Sequence, residues 1–117
     1  MYLANMKGTD ELYALKAIKK VFVIEKKQFE QVRREKEILY QANHPFLVGL
    51  NAAFQTQDKL FLLMPFIQGG DLFIHLKRRK RFSEHEVQFF ISQVILGLSF
   101  LHTKGIIYQD LKPENIL

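Results

Sequence analysis

The amino-acid sequence predicts an α+β fold, in which a first half built mainly of strands is followed by a helical second half. Residues 12–18 alternate between the two faces of a strand, whereas the apolar positions within residues 87–101 repeat with the period of a helix. The glycine pair at 69–70 separates the two patterns. With 117 residues, 48% of them hydrophobic, the chain suits one modest globular domain.

The first half is predicted to contain strands and one helix. After the first strand, the charged stretch 25–42 carries an apolar stripe at helical spacing. Two short apolar runs follow, at 46–54 and 60–67, and both are of strand length. The polar link at 55–58 predicts that these two strands form a hairpin.

Two charged residues fall on the apolar faces of these elements. Lys16 lies on an apolar face of the first strand, and Glu35 lies on the helical stripe between Val32 and Leu39. A buried charge is costly unless it is paired, so the two side chains would satisfy each other if the helix packs on the strand. In the alternative reading, Lys16 extends to the end of the strand and Glu35 lies at the rim of the helix. Periodicity alone leaves both readings open.

The second half is predicted to be helical. Ser83 and Glu86 have the spacing of a capping box that starts a long helix, and Gly105 is its predicted stop. Five consecutive basic residues, 77–81, allow two readings, a surface for an acidic partner or a solvated helix end. The helix end is favoured and no nucleic acid is expected, because no aromatic residues interleave with the run.

Composition argues against several classes of protein. The chain has no cysteine, which excludes disulfides and thiolate metal sites. No apolar run reaches membrane-spanning length, and no basic stretch followed by an apolar region marks a signal peptide. These features suit a cytoplasmic location and are compatible with the nucleus as well.

The last ten residues bring an acid, a base and an amide close together in sequence. Asp110 is suited to accept a proton, Lys112 to stabilise a migrating anion, and Asn115 to offer a neutral oxygen to a hard divalent cation. Phosphoryl transfer requires these three services and little covalent chemistry from the protein. The other reading of the segment is an ordinary polar turn, in which Pro113 sets φ.

The segment 108–117 resembles the catalytic loop of protein kinases, with Tyr and Gln in the places of His and Arg. Residues 13–16, Tyr-Ala-Leu-Lys, resemble the Val-Ala-Ile-Lys strand of the same family, whose lysine pairs with a glutamate on the following helix. That resemblance favours the pairing of Lys16 with Glu35. Further segments at 44–50 and 105–108 resemble the AGC group of serine/threonine kinases, in particular its protein kinase C and SGK-like branches.

The resemblance implies a binding site for ATP. Ala14 would lie over the adenine, and Met64 would be the gatekeeper behind it. The hinge backbone at Pro65 and Ile67 would contact the adenine, through the carbonyl alone at the proline. Asp71 would take a ribose hydroxyl, and its place after two glycines also suits a helix cap.

The resemblance also implies how phosphates and cations are held. Lys16 would hold the nucleotide phosphates, and Glu35 would orient Lys16. Asp110 would orient or deprotonate the substrate hydroxyl, Lys112 would support the γ-phosphate, and Asn115 would bind a second Mg²⁺. ATP and Mg²⁺ are therefore the expected cofactors.

The implied partner is a protein substrate with basic residues near its phosphosite. Glu114 is assigned to the ATP site together with the residues above. The family has an acidic residue at this position, so Glu114 would contact such a basic residue of the substrate. The alternative is that Glu114 is a solvated acid of the loop. Gln109 departs from the family pattern, because an arginine there clamps a phosphate on the activation segment. A neutral Gln109 predicts that the parent enzyme does not use this switch. In the alternative reading, Gln109 is a tolerated substitution and other basic residues hold the phosphate.

The resemblance covers essentially the whole chain and implies a truncated kinase domain. Residues 1–64 would form an antiparallel small-lobe sheet with one helix but no glycine-rich loop. Residues 65–70 would be the hinge, and 71–117 the start of the α-helical large lobe through the catalytic loop. The Asp-Phe-Gly motif, which supplies the primary Mg²⁺ ligand, does not occur in the sequence. The chain alone is therefore expected to be inactive, with exposed lobe faces that bind missing segments or a partner.

Two functional hypotheses follow from the sequence. In the first, the chain is a piece of an ATP-dependent serine/threonine protein kinase. In the second, it is a non-catalytic short isoform or pseudokinase-like interaction module.

Overall fold

The computed structural model describes residues 1–117 and contains four strands and four helices. In chain order they are β1 (Tyr2–Asn5), β2 (Leu12–Lys19), α1 (Lys20–Glu25), α2 (Phe29–Gln41), β3 (Ala52–Gln55), β4 (Lys59–Pro65), α3 (Leu72–Arg79) and α4 (Glu84–Thr103), followed by a 3₁₀ turn at Pro113–Asn115. The strands form one antiparallel sheet in the order β1-β2-β4-β3. The predicted α+β class is confirmed.

The chain divides into two units of dense internal contact. The first comprises residues 1–43 and 47–66 and contains the sheet, α1 and α2. The second comprises residues 44–46 and 67–117 and contains α3, α4 and the 3₁₀ turn. The assignment of residues 65–70 as a hinge stays a prediction.

The pairing of β2 with β4 forms the centre of the first unit. Lys16 lies opposite Leu62 and Ala14 lies opposite Met64, so these four side chains share one face of the sheet. Leu62 and Met64 are only 3% and 9% exposed. Burial of a leucine or methionine side chain contributes about 1.5–3 kcal/mol, which makes this face a stable platform for the lysine.

The helical region that follows β2 differs from the prediction. The single helix expected at 25–42 is α2 alone, and a separate short helix, α1, precedes it. Lys27 has a φ of 49° at the break, and the Gln28 N–H donates to the Val23 carbonyl at 2.9 Å. Val23 is 2% exposed and anchors α1. Four consecutive apolar residues, 21–24, carry no helical period, so the pattern did not indicate this helix.

The predicted strand at 46–54 is also shorter than expected, because only Ala52–Gln55 joins the sheet. The backbone N–H of Leu50 donates to the Leu39 carbonyl at the end of α2, at 3.0 Å. The next N–H, that of Asn51, donates to Leu63 of β4 at 2.8 Å. Tertiary hydrogen bonds thus hold this stretch in place of a strand ladder. The predicted hairpin is confirmed, since β3 and β4 pair antiparallel around residues 56–58.

The start of α4 is as the sequence predicts. Ser83 caps the helix by accepting from the Glu86 N–H, and the Glu86 carboxylate accepts from the Ser83 N–H at 2.9 Å. The helix ends at Thr103, and Gly105 donates to the His102 carbonyl, so the predicted stop is also in place. Leu101 is 4% exposed, whereas several apolar side chains of α4 are exposed: Val87, Phe89, Ile91, Ile95 and Leu96.

None of the helices combines the length and the apolar character that a membrane crossing requires.

Candidate functional site

The predicted site residues fall into two groups, one in each unit. In the first unit, β2 carries Lys16 and α2 carries Glu35, and the Lys16 Nζ lies 2.5 Å from the Glu35 Oε1. The pairing predicted from the sequence is present, and the alternative, in which both side chains are solvated separately, is not what the structure adopts. The two side chains are 39% and 36% exposed. An ion pair this exposed contributes less than about 1 kcal/mol of stability, so its main effect is to fix the position of the ammonium group.

The ammonium group of Lys16 keeps capacity for a ligand. A lysine has three N–H donors, and Glu35 is the one hydrogen-bond acceptor that Lys16 contacts. The remaining donors and the 39% exposure of the side chain leave the positive charge accessible to an anion such as phosphate.

The predicted adenine residues of the first unit lie at the end of the β2–β4 pair. Ala14 is directly opposite Met64, and Tyr13 is opposite Pro65, the last residue of β4. Met64 is buried and Ala14 half-buried, so this end of the sheet offers a small side chain beside an apolar wall. Pro65 has no N–H, and only its carbonyl is available to a ligand.

The remaining adenine and ribose candidates belong to the second unit. Ile67 is 40% exposed, and its backbone N–H donates to no group of the chain. Asp71 caps α3, because its Oδ1 accepts from the Ile74 N–H at 2.9 Å. The second carboxylate oxygen, Oδ2, makes no hydrogen bond within the chain. Asp71 therefore caps α3 with Oδ1, while Oδ2 remains without a hydrogen bond in the chain. Its contact with a ribose stays a prediction.

A histidine of α3 holds the turn before Asp71. The His75 Nε2 lies 2.8 Å from the Gly69 carbonyl oxygen. Gly69 and Gly70 have φ angles of 103° and 82°, a region that residues with a Cβ rarely adopt. The ring therefore links α3 to a turn that only glycine forms readily. No sequence motif marks this contact, which depends on the path of the turn.

The catalytic-loop candidates form a closed network in the second unit. The Lys112 Nζ donates to the Asp110 carboxylate at 2.8 Å, and the Asn115 Nδ2 donates to the Asp110 Oδ2 at 2.9 Å and to its backbone carbonyl at 2.8 Å. The 3₁₀ turn at Pro113–Asn115 brings the amide back to Asp110. The Ile116 carbonyl accepts from the Leu72 N–H at 2.8 Å, which ties the loop to the start of α3.

The electrostatics of this network keep Asp110 ionised. The hydrogen bond from Lys112, followed by that from Asn115, lowers the pKa of Asp110 below its ordinary value. In return, the hydrogen bond to Asp110 raises the pKa of Lys112. Asp110 is 68% exposed, so the anionic carboxylate is held in position yet remains accessible. Glu114 and Gln109 are also exposed, and neither side chain makes a hydrogen bond within the chain.

The orientation of Asn115 decides whether a divalent cation fits this loop. Both hydrogen bonds of the side chain come from its Nδ2, so the Oδ1 is free to act as a neutral oxygen ligand. The chain contains no group of three or more His, Cys, Asp or Glu side chains that would hold a metal ion unaided. Mg²⁺ suits such a partial site, because it takes one or two protein ligands together with substrate phosphates and water.

Comparison with known proteins identifies the family of the chain. The family model described as protein kinase domain matches residues 1–117. The RAC family serine/threonine-protein kinase homolog of Dictyostelium discoideum is 45% identical over 111 residues, covering 95% of this chain and 25% of that protein. Protein kinase C of Drosophila melanogaster is 47% identical over 116 residues, covering 98% and 16%. Protein kinase C eta type of Mus musculus is also 47% identical over 116 residues, covering 98% and 17%.

The chain spans a quarter or less of the length of these relatives. The family model nevertheless matches the chain from its first residue to its last. The chain therefore belongs to the protein kinase domain family, and its relatives place it in the AGC group of serine/threonine kinases.

Proposed function

We propose that the protein carrying this chain transfers the γ-phosphoryl group of ATP to serine or threonine hydroxyls of other proteins. The observation that carries the proposal is the network of Asp110, Lys112 and Asn115, which combines a fixed anion, a cation and a free amide oxygen in one loop. Phosphoryl transfer depends on positioning and electrostatic stabilisation, and these groups supply both.

Asp110 accepts a hydrogen bond from the substrate hydroxyl and orients its oxygen toward the phosphorus. Because its pKa is lowered, Asp110 is a weak base, so it positions the hydroxyl first and takes the proton late in the transfer. Lys112 is cationic beside it and stabilises charge on the migrating phosphoryl group. Bound Mg²⁺ supplies further neutralisation of the phosphate oxygens, and the Asn115 Oδ1 is the ligand that this loop offers to it.

Lys16 binds the phosphates of the nucleotide, with Glu35 holding its ammonium group in place. Ala14, Met64, Pro65 and Ile67 receive the adenine, and the free carboxylate oxygen of Asp71 takes a ribose hydroxyl. Glu114 contacts a basic residue of the protein substrate, since its carboxylate is exposed and unpaired.

The 117-residue chain by itself is proposed not to catalyse this reaction. Its sequence contains neither a glycine-rich phosphate loop nor an Asp-Phe-Gly motif, and both parts stabilise the transferring phosphates. A non-catalytic interaction module is the second candidate function. The exposed apolar residues of α4, among them Val87, Ile91 and Ile95, favour that candidate because they offer a surface to a partner.

Labelled phosphate incorporation into a basic serine peptide tests these proposals. The full-length protein is expected to phosphorylate the peptide, and Asp110→Asn is expected to lower kcat by about 10²–10⁴. Asp10→Asn, an exposed aspartate outside both site groups, is the matched control and should keep full activity. The isolated chain should give no more label than its own Asp110→Asn variant. Absence of transfer by the full-length protein would favour the interaction module.

A further inference from the structure

The basic run Lys77–Arg81 is exposed and covers the last turn of α3 and the start of the stretch that joins α3 to α4. The helix α3 ends at Arg79, and residues 80–83 are irregular before α4 begins at Glu84. Arg79 is bonded to both carboxylate oxygens of Glu86. The other four cations of the run are exposed and form no ion pair within the chain. They leave a concentrated positive charge without an internal partner.

A serine hydroxyl follows this run two residues after its last cation, with Phe82 between Arg81 and Ser83. Ser83 is exposed and its backbone is extended, with φ −69° and ψ 160°. No other serine or threonine of the chain follows a run of cations. Ser92 and Thr103 lie inside α4 and donate their hydroxyls to backbone carbonyls of the helix. Ser83 is therefore the hydroxyl that an enzyme with an acidic substrate groove would select, because cations precede it and its backbone is already extended.

We propose that Ser83 is a phosphorylation site for a serine/threonine kinase that selects basic residues on the N-terminal side of its acceptor. In the transfer, a bond forms between the Ser83 Oγ and the γ-phosphorus of ATP. The bond from that phosphorus to the oxygen bridging to the β-phosphate breaks, and ADP leaves. The hydroxyl proton passes to the catalytic base of the acting kinase. The assignment does not depend on whether this chain is itself part of an active enzyme.

Phosphorylation would rearrange the contacts that start α4. The Ser83 Oγ donates to the Glu86 Oε2 at 2.8 Å, and esterification removes that donor. Hydrogen bonds from the Ser83 backbone and from Arg79 lower the pKa of Glu86 to about 2, so the phosphate dianion would face an ionised carboxylate. Repulsion separates the two anions, while the N-terminus of α4 continues to favour the phosphate. Arg79 then exchanges Glu86 for the phosphate, with which it forms a charge-assisted pair.

The acceptor assignment is tested on the full-length protein carrying Asp110→Asn, which silences its own proposed activity. The catalytic subunit of cyclic-AMP-dependent protein kinase, an enzyme that selects basic residues, is supplied with labelled ATP, and the labelled residue is identified by mass spectrometry. Label is expected on Ser83, and Arg78→Gln with Arg81→Gln should lower the initial rate at least tenfold. Ser92→Ala, the matched control, should leave labelling unchanged. Label absent from Ser83, or an equal rate in the double variant, overturns the assignment.

A second arm identifies the source of the activity. Protein without Asp110→Asn is incubated with ATP and Mg²⁺ alone, and label on Ser83 assigns the modification to a second copy of the same protein. Label only after addition of the exogenous enzyme assigns it to a different kinase of the same specificity.

The exchange of ion-pair partners has its own measurement. Phosphorus NMR of the phosphorylated protein follows the titration of the phosphate on Ser83. If Arg79 pairs with the phosphate, the midpoint lies at lower pH in the wild type than in Arg79→Gln. Lys104→Gln, a basic residue at the other end of α4, is the control and should not move the midpoint. An equal midpoint in wild type and Arg79→Gln overturns the exchange.

Discussion

The two groups of site residues are assembled in different ways. Lys16 and Glu35 are 19 residues apart, lie on a strand and a helix, and meet only because those elements pack. Asp110, Lys112 and Asn115 lie within one loop and contact one another across separations of two and five residues. Formation of the Lys16–Glu35 pair therefore depends on the tertiary packing of its unit, whereas formation of the loop network depends on local backbone geometry. Disruption of packing should abolish the first arrangement and leave the second largely intact.

The largest effect is expected from breaking the distant pair. If the full-length protein has the proposed activity, Lys16→Met should lower kcat/KM by about 10²–10³, because the phosphates lose their fixed cation. Glu35→Ala should have a smaller effect through the same lysine, and the double-mutant cycle should give a coupling of about 1–3 kcal/mol. Arg33→Met and Glu37→Ala remove a more exposed pair on the same helix and should leave activity unchanged. Losses at Lys16 and Glu35 that simply add would show that the pair has no role.

The local network makes a prediction about protonation. In Lys112→Met, the pKa of Asp110 should rise toward its ordinary value, because the principal hydrogen bond that lowers it is gone. Asn115→Ala should raise it less, since its hydrogen bond has the smaller effect. Carboxyl titration by NMR measures both changes, with Lys104→Met as a control outside the loop. A pKa of Asp110 that is the same in wild type and Lys112→Met would mean that the loop is not closed in solution.

Gln109 immediately precedes Asp110 in the sequence, and its expected effect is on regulation. With the proposed activity, removal of activation-segment phosphate from the full-length protein should change kcat little in wild type. In Gln109→Arg, the same treatment should lower kcat by about tenfold or more, because an arginine–phosphate hydrogen bond contributes ~1.5–3 kcal/mol. Phosphatase treatment of both proteins, followed by kinetic assay, makes the comparison. An equally large fall in both would indicate that other basic residues hold the phosphate.

The smallest expected effect is on stability in acid. The pKa of Glu86 is lowered from 4.5 to about 2 by the Ser83 backbone N–H, Arg79 and the Ser83 hydroxyl. A lowered folded-state pKa means that the stabilisation is present above pH 4.5 and is lost as the pH falls toward 2. Urea unfolding of wild type and Glu86→Gln should therefore differ at pH 7 and converge near pH 2. Glu84→Gln, which removes the other carboxylate in the first turn of α4, is the control. A difference in unfolding free energy between wild type and Glu86→Gln that persists at pH 2 would show that the stabilisation does not come from the ionised Glu86 carboxylate.

Local signals in the sequence predicted most of the second unit. The capping box at Ser83 and the stop at Gly105 depend on residues three to five positions apart, so the pattern alone locates the ends of α4. The grouping of Asp110, Lys112 and Asn115 was predicted from the motif, whereas the free Asn115 Oδ1 became apparent only from the side-chain hydrogen bonds. Sequence periodicity placed Lys16 and Glu35 on the apolar faces of a strand and a helix and left their contact open, and the family resemblance favoured the pairing.

Tertiary contacts explain what the sequence did not predict. The helix α1 carries no helical period and depends on the burial of Val23. The sequence of the stretch before β3 predicts a strand, yet the Leu50 N–H donates a hydrogen bond to the Leu39 carbonyl at the end of α2. The His75 contact with Gly69 likewise has no local signature. In each case, a contact or a burial that the local sequence pattern does not encode decides the conformation.

The glycine pair before α3 has a consequence for mutational tolerance. At Gly69 an added Cβ would meet no atom within 4 Å, so a substitution there is opposed by backbone conformation alone. At Gly70 the same Cβ would lie 3.3 Å from the Ile74 Cδ1, so steric contact adds to the conformational penalty. In a library that samples every residue at both positions, Gly69 should therefore accept asparagine and aspartate, which tolerate positive φ best. Gly70 should accept them less often, unless position 74 becomes smaller in the same clone.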